Sequence, residues 1–195
     1  MSRIMKLNQL ILIVTVLALT SCGPIMGNLM TMGGGIKDIE VTGGDAANFT
    51  AGKKLLVLAP FLKGEDGYYV SRGDDAANLL DAINGIGLFK GEFLFEPDYY
   101  SLNEKTEKYK TMSADELMSM AAMDFTPDYL LVGTILHRDT VVAPTRGVIM
   151  DVTYKLELID LVSKDALVVK VRAKDLFPEV APDIAEALNE LIKAN

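Results

Sequence analysis

The feature of this sequence that most constrains its fold is an alternation of apolar and polar side chains within residues 147–160. The apolar positions fall at every second residue and are Val148, Met150, Val152, Tyr154, Leu156 and Leu158. Because successive side chains of a strand point to opposite faces, this pattern predicts an antiparallel strand with one buried and one solvated face. Ser163, Lys164 and Asp165 then predict a turn into another strand over residues 166–173, giving a hairpin.

Two other segments are continuously apolar rather than alternating. One lies within residues 53–61, where two lysines precede the apolar run and Pro60 stands near its end, and the other within residues 129–136. A short apolar run bounded by turn residues is typical of a strand that is buried on both faces. A further strand is expected over residues 92–100, broken or bent at Pro97.

Helical periodicity separates these strands. Residues 72–89 carry apolar side chains at intervals of three and four, which predicts an amphipathic helix. Asp74 and Asp75 fall in its expected first turn, where negative charge stabilises a helix. After a polar, lysine-rich loop, Ser113 and Glu116 form a capping-box pattern that predicts a short helix. A last helix is predicted to begin at Pro182.

The predicted order of elements is therefore βαβαβββα in one domain over residues 53–195. This order favours an α/β (α+β) fold in which helices pack on a mixed, mostly antiparallel sheet, in two or three layers.

The N-terminal 21 residues have the organisation of a bacterial lipoprotein signal. Arg3 and Lys6 precede an apolar run over residues 10–19, and small residues lead to Cys22. The run is shorter than the about 20 apolar residues that span a bilayer. Since Cys22 is the only cysteine, thioether lipidation and acylation of the new N-terminus would give it a role. The alternatives are an uncleaved anchor or an ordinary secretory signal.

Gly23 follows the cysteine, a position where an aspartate would favour retention at the inner membrane, so we expect the outer membrane, facing the periplasm. Residues 22–52 are rich in glycine, including Gly43 and Gly44, and show no sustained periodicity. They are predicted to be a flexible tether. The glycines at 33–35 lack the preceding strand and the following Gly-Lys-Ser/Thr of a phosphate-binding loop.

The charge of the chain limits its partners. The formal net charge is −8, and removing residues 1–21 takes away Arg3 and Lys6, which leaves −10. Nucleic-acid binding depends on neutralising phosphates with Lys and Arg, so this acidic balance argues against it.

The residues that carry common catalytic chemistry are scarce. His137 is the only histidine, which disfavours a histidine-based triad and a multi-histidine zinc site. We interpret it as a surface residue at a strand end. The adjacent carboxylates Asp74 with Asp75, and Glu65 with Asp66, suit a helix start and a solvated loop better than acid–base catalysis. We therefore predict no catalytic residue, metal or cofactor.

Paired tyrosines are the best candidates for contact with a partner. Tyr68 and Tyr69 stand close to Arg72, and Tyr99 and Tyr100 form a second pair. Exposed tyrosine and arginine are favoured at interfaces. We predict that a partner binds the face that carries Tyr68, Tyr69 and Arg72; core packing or cover for a strand edge is the alternative for the tyrosines.

The chain resembles a group of bacterial envelope lipoproteins. The resemblance rests on the lipobox that ends at Cys22, the segments 55–61 and 127–134, and the strand end at 156–160. The group includes the curli secretion channel lipoprotein, the lipoprotein activator of penicillin-binding proteins and the Pel polysaccharide export lipoprotein. Their common domain is similar to the N-terminal domain of TolB. No pair of amphipathic membrane hairpins like that of the curli channel is found here.

The resemblance implies a non-enzymatic periplasmic scaffold or regulator, bound to the outer membrane through Cys22, that recruits an envelope protein in assembly or export. A first alternative is a ring-forming subunit of a secretion or polysaccharide-export complex, which would be a homo-oligomer. A second is an envelope enzyme or small-ligand binder that uses a carboxylate cluster.

Overall fold

The computed structural model describes residues 33–64, 73–143 and 147–193. The strands are β1 Gly35–Gly43, β2 Lys54–Ala59, β3 Leu62–Lys63, β4 Lys90–Phe95, β5 Tyr129–Ala143, β6 Gly147–Asp160 and β7 Ala166–Leu176. The helices are α1 Asp74–Gly85, α2 Leu102–Thr111, α3 Ala114–Ala121 and α4 Phe177–Lys193. A single 3₁₀ turn covers Ala46–Asn48. The predicted α/β class with a mixed sheet is confirmed.

The sheet has two parts that differ in strand direction. The strand order is β1-β7-β6-β5-β2-β4, and β3 also pairs with β5. β1, β7, β6 and β5 are antiparallel neighbours, whereas β5, β2 and β4 run parallel, as does β3 beside β5. The carboxyl ends of β2 and β4 consequently lie at the same end of the sheet, and the second half of β5 continues past them.

Helices cover both faces of the sheet. One face is packed by α1 and α4, whose buried side chains include Leu79 and Ile184. On the other face, α2 and α3 contribute Tyr109 and Leu117 to a smaller core. The fold thus has three layers over β2 and the adjoining half of β5.

The packing of β2 explains why its sequence is apolar from Leu55 onwards. Its side chains alternate between the two cores: Leu55 and Val57 belong to the larger one, and Leu56 and Leu58 to the smaller one. All four are fully or almost fully buried. At about 25 cal/mol per Å² of apolar surface, burial on both faces makes this strand a principal source of stability.

β6 has the alternation predicted from its sequence. Its side chains from Met150 to Leu158 at even positions are buried in the larger core, and the intervening Lys155 and Glu157 form an ion pair on the other face. In the part of the chain that the structure describes, the other face of β6 is covered only near its end, where Glu157 pairs with Lys110 of α2 and Ile159 packs in the smaller core, so polar side chains are retained along most of it.

The predicted tether at 22–52 is wrong for residues 33–52, which belong to the fold. β1 pairs with β7 along its length, so the domain begins well before residue 53. The sequence does not show the period of two expected for a strand, because its apolar residues Ile36, Ile39 and Val41 are unequally spaced. The structure accommodates this spacing with a register shift between Ile36 and Asp38. Gly44, with φ of 77°, then turns the chain where a Cβ would meet the backbone of Ala166. Residues 22–32 and the predicted signal lie outside the described residues.

Two helix predictions also need correction. The lysine-rich segment expected to be a loop forms α2, in which Tyr109 is buried although most neighbouring side chains are polar. α4 begins at Phe177 rather than at Pro182, which lies inside it. Burial of Val180 against the core supports the extra N-terminal turn, and this tertiary contact outweighs the preference of proline for a first helical position.

Strand lengths differ from the predictions for identifiable reasons. β4 ends at Phe95, before Pro97, and β5 extends to Ala143, beyond the predicted residue 136. The extension of β5 is held by its ladder with β6, which continues to Ala143 and Gly147. Within the described residues, the helices are too short or too polar to cross a membrane.

Candidate interaction surface

Four of the residues that the sequence singled out for contacts lie outside the described part of the chain. These are Cys22 and the predicted partner-binding residues Tyr68, Tyr69 and Arg72. Gly73, which directly follows Arg72, is described and buried. A Cβ on Gly73 would lie 3.3 Å from Cε2 of Phe95. Gly73 therefore lies beside the end of β4.

Four exposed aromatic side chains lie on β4 and just after it. Phe93 is 52% exposed, Phe95 45% and Tyr99 47%, while Tyr100 is fully exposed. We name these four residues the aromatic edge. Phe93 and Phe95 are opposite Val57 and Ala59 of β2 in the parallel ladder, so they lie on the α1 side of the sheet.

The position of β4 accounts for the exposure of its phenylalanines. Among the described residues, β4 pairs only with β2 and ends the strand order. Leu80 of α1 approaches β4 at Gly91, where a Cβ would be 2.5 Å from Cδ1 of Leu80. Glycine at this position lets α1 pack closely at the start of β4, and the rings at the end of the strand stay partly uncovered.

A network of hydrogen bonds centred on Glu96 fixes the chain that leaves β4. Glu96 is 8% exposed, and its Oε2 accepts a hydrogen bond from the Tyr109 hydroxyl at 2.8 Å. Its Oε1 accepts from Nζ of Lys105 at 2.8 Å and from the backbone N–H of Asp98 at 3.0 Å. The hydrogen bond from Lys105 is the main cause that keeps the pKa of Glu96 below its usual range, so the carboxylate stays ionised at neutral pH.

Asp98 continues this network to the tyrosines. Its Oδ2 accepts from the Ser101 hydroxyl at 2.5 Å, and its Oδ1 accepts from the backbone N–H of Tyr100 at 3.1 Å. The hydrogen bond from Ser101 is the largest cause of a lowered pKa for Asp98. Tyr99 and Tyr100 are therefore exposed on a backbone that is held in one conformation, which reduces the entropy lost when a partner binds.

A second polar cluster is buried between α1 and the sheet. Asp75 of α1 accepts hydrogen bonds on Oδ1 from Arg138 of β5 and, at 2.5 Å, from the hydroxyl of Tyr154 of β6. Burial, reinforced by the charge of Asp75, raises the pKa of Tyr154 strongly, so the hydroxyl remains a donor. The cluster ties the start of α1 to the middle of the β5–β6 hairpin.

This cluster shows how the carboxylates considered from the sequence are used. Asp74 and Asp75 occupy the first turn of α1, as predicted, but Asp75 is buried and ion-paired with Arg138 while Asp74 is exposed. The other pair, Glu65 and Asp66, lies outside the described residues. His137 is exposed, as predicted for a surface residue. The described residues contain no group of three or more metal-binding side chains.

Sequence reasoning missed Phe93 and Phe95 as surface residues. An apolar pair in a strand predicts burial, and nothing local in the sequence marks β4 as the last strand of the sheet. Tyr99 and Tyr100 were identified as candidates, and the structure shows them exposed.

No model of a known protein family matches the chain, and no curated protein matches it. Among solved structures, two PelC dodecamer structures from Paraburkholderia phytofirmans, one of a point variant, are similar to it. They are 13% and 14% identical, cover 80% of this chain and 94% and 93% of their own, and each has a TM-score of 0.42. The hypothetical protein CT253 from Chlamydia trachomatis is 8% identical over 74% of this chain and 100% of its own, with a TM-score of 0.43.

The resemblance to the Pel export lipoprotein stays a prediction. The resemblances to the curli channel and to the activator of penicillin-binding proteins stay predictions.

Proposed function

We propose that this chain is a non-enzymatic lipoprotein, anchored in the outer membrane through Cys22 and facing the periplasm. In this proposal it binds a protein partner and positions or regulates that partner during envelope assembly or export. The sequence of residues 1–22 supports the anchor.

The observation that carries the binding role is the aromatic edge. Aromatic residues are enriched at the centres of protein interfaces, where they contribute much of the binding free energy. Here Phe93 and Phe95 are exposed on β4, and Tyr99 and Tyr100 are exposed in the chain that follows it; the hydrogen bonds of Glu96 and Asp98 restrain the backbone of the tyrosines. Gly73, the first described residue after Arg72, lies beside Phe95.

The carboxylates of α1 favour binding over catalysis. Oδ1 of Asp75 already accepts from Arg138 and Tyr154, and this geometry is that of a structural ion pair. Asparagine at Asp74, which is exposed, should leave cellular function intact. Loss of function in D74N with normal folding would favour the alternative of an enzyme or small-ligand binder.

Photo-crosslinking in living cells tests the binding role. A photoreactive phenylalanine analogue at Phe93 or Tyr100 should give one discrete protein adduct, and the same analogue at the exposed Lys170 of β7 should not. The adduct formed from Tyr100 should be lost when Phe95 is replaced by serine. Equal adducts from all three positions, or lipid and peptidoglycan alone, would remove the basis for the proposal.

Membrane fractionation tests the anchor separately. The wild-type chain should float with outer-membrane vesicles and carry the mass of the acyl groups, whereas Cys22→Ser should lack both properties. A wild-type chain without acyl mass would contradict lipidation at Cys22 whatever the crosslinks show.

A ring-forming subunit is the second candidate function, and the two sheet edges favour it. β1 and β4 end the strand order on opposite sides, so they could meet head to tail in a closed ring. Light scattering separates the candidates: a discrete oligomer that persists in Cys22→Ser indicates a ring, and a monomer indicates a tethered scaffold.

A further inference from the structure

A groove lies between β1 and α4, at the opposite edge of the sheet from β4 and the aromatic edge. Its volume is about 440 Å³. Its lining includes the apolar side chains Ile36, Ile39 and Leu191 and the carboxylates Asp183, Glu186 and Glu190. The groove therefore has an apolar floor and an acidic wall.

The acidic wall is a regular stripe on α4. Glu179, Asp183, Glu186 and Glu190 follow one another at intervals of four, three and four residues, which places them on one face of the helix. None of the four forms an ion pair among the described side chains. Like charges at this spacing destabilise a helix, so the stripe is unfavourable in the unbound chain.

Asp183 lies deepest in this wall. Its Oδ2 is buried and has no hydrogen-bond partner among the residues that the structure describes. Burial raises its pKa, as do the charges of Asp175, Glu179 and Glu186, and Lys37 on β1 only partly opposes them. An excess of negative charge thus faces the groove from both sides of Asp183.

β1 gives the groove a second property. It pairs with β7 on one side, and in the described part of the chain its other edge has no partner strand. Ile39 and Val41 are partly exposed beside that edge. An edge strand with free backbone groups can bind an extended segment by strand addition.

We propose that this groove binds an extended segment, rich in Lys or Arg, of a partner protein. The segment adds to the free edge of β1 and directs alternate side chains towards α4. Long basic side chains fit both surfaces because their apolar stems can lie on Ile36 and Ile39 while their charged ends reach Glu186 and Glu190.

The spacing of the carboxylates supports a peptide rather than a single ion. The carboxylates that line the groove, from Asp183 to Glu190, extend for about 10 Å along the helix at 1.5 Å per residue. Alternate side chains of a strand repeat at about 6.6 Å, and carboxylates four residues apart on α4 repeat at about 6 Å. Successive basic residues can therefore meet successive carboxylates.

This inference does not rest on the proposed function, since it concerns another edge of the sheet and is tested in solution. The full chain in a neutral detergent is titrated by calorimetry with a ten-residue peptide of alternating Thr and Lys. A peptide with Gln in place of each Lys is the control ligand. E186Q/E190Q removes two charges of the groove, and E92Q/E104Q is the matched control because it removes two exposed charges elsewhere.

We expect the Lys peptide to bind and the Gln peptide not to bind. E186Q/E190Q should weaken binding about tenfold, and E92Q/E104Q less than twofold, with melting temperatures no lower than that of the wild type as evidence of folding. Equal weakening by both variants would show attraction to the net charge alone and overturn the proposal, as would absence of binding. A dimer that E186Q/E190Q dissociates would also overturn it, because the groove would then be occupied by a second copy.

Discussion

The ion pair between Asp75 and Arg138 provides the sharpest test of the folded core. Replacing Arg138 by Met keeps most of the apolar stem but removes the positive charge, so that Asp75 remains buried with the hydroxyl of Tyr154 as its donor. Removing one partner of a buried pair costs about 3 to 5 kcal/mol. Because the side chain of Arg138 is 16% exposed, we expect the free energy of unfolding to fall by about 3 kcal/mol, at the lower end of that range.

The double variant D75N/R138M separates the lost attraction from the cost of an isolated charge. Its asparagine oxygen can still accept from Tyr154, and no buried carboxylate remains. Replacing both charges of a buried pair is often close to neutral, so the double variant should recover about 2 kcal/mol relative to R138M. The free energy of unfolding is measured by urea denaturation at pH 7, followed by circular dichroism.

Two results would refute this reasoning. A loss below about 1 kcal/mol in R138M, the level of a surface pair, would mean that water reaches Asp75. A double variant no more stable than R138M would mean that the packing of Arg138, rather than its charge, holds α1 to β5 and β6.

Three further predictions concern stability. Asp183→Asn should raise the melting temperature at pH 7, because the raised pKa of Asp183 makes its ionised form unfavourable in the fold; the gain should fade as acidification protonates the carboxyl. Gly133→Ala should cost about 1 to 3 kcal/mol in urea denaturation, since its Cβ would lie about 2.5 Å from the ring of Phe61; Gly85→Ala, with no atom within 4 Å, is the control and should not destabilise. Ser113→Ala should cost about 1 kcal/mol by removing the capping box of α3, and an unchanged urea midpoint would contradict that role.

Local chemistry was enough to predict much of the fold. The alternation in β6, the apolar run of β2 and the capping box at Ser113 each depend on neighbouring residues in the sequence. A strand with one covered face must alternate, and a strand covered on both faces must be apolar throughout. These elements were found near their observed positions for that reason.

The candidate surface could be predicted only in part. Tyr99 and Tyr100 could be proposed from the sequence because tyrosine pairs next to a strand end favour interfaces. Phe93 and Phe95 could not, since their exposure depends on β4 being the last strand of the sheet. The ion pair of Asp75 was equally hidden, because Arg138 lies 63 residues away in sequence.

The sequence by itself determined the class of fold and the strands with a clear period, since each of these depends on composition or on residues within a few positions; it is also the basis of the compartment that we propose. Only the tertiary structure decided that residues 35–43 form β1, that α4 begins at Phe177 and that an acidic groove lies between them. The physical reason is that β1 has few apolar side chains of its own and is stabilised by backbone hydrogen bonds to β7. The residues of β7 that it pairs with lie more than 120 positions later in the sequence.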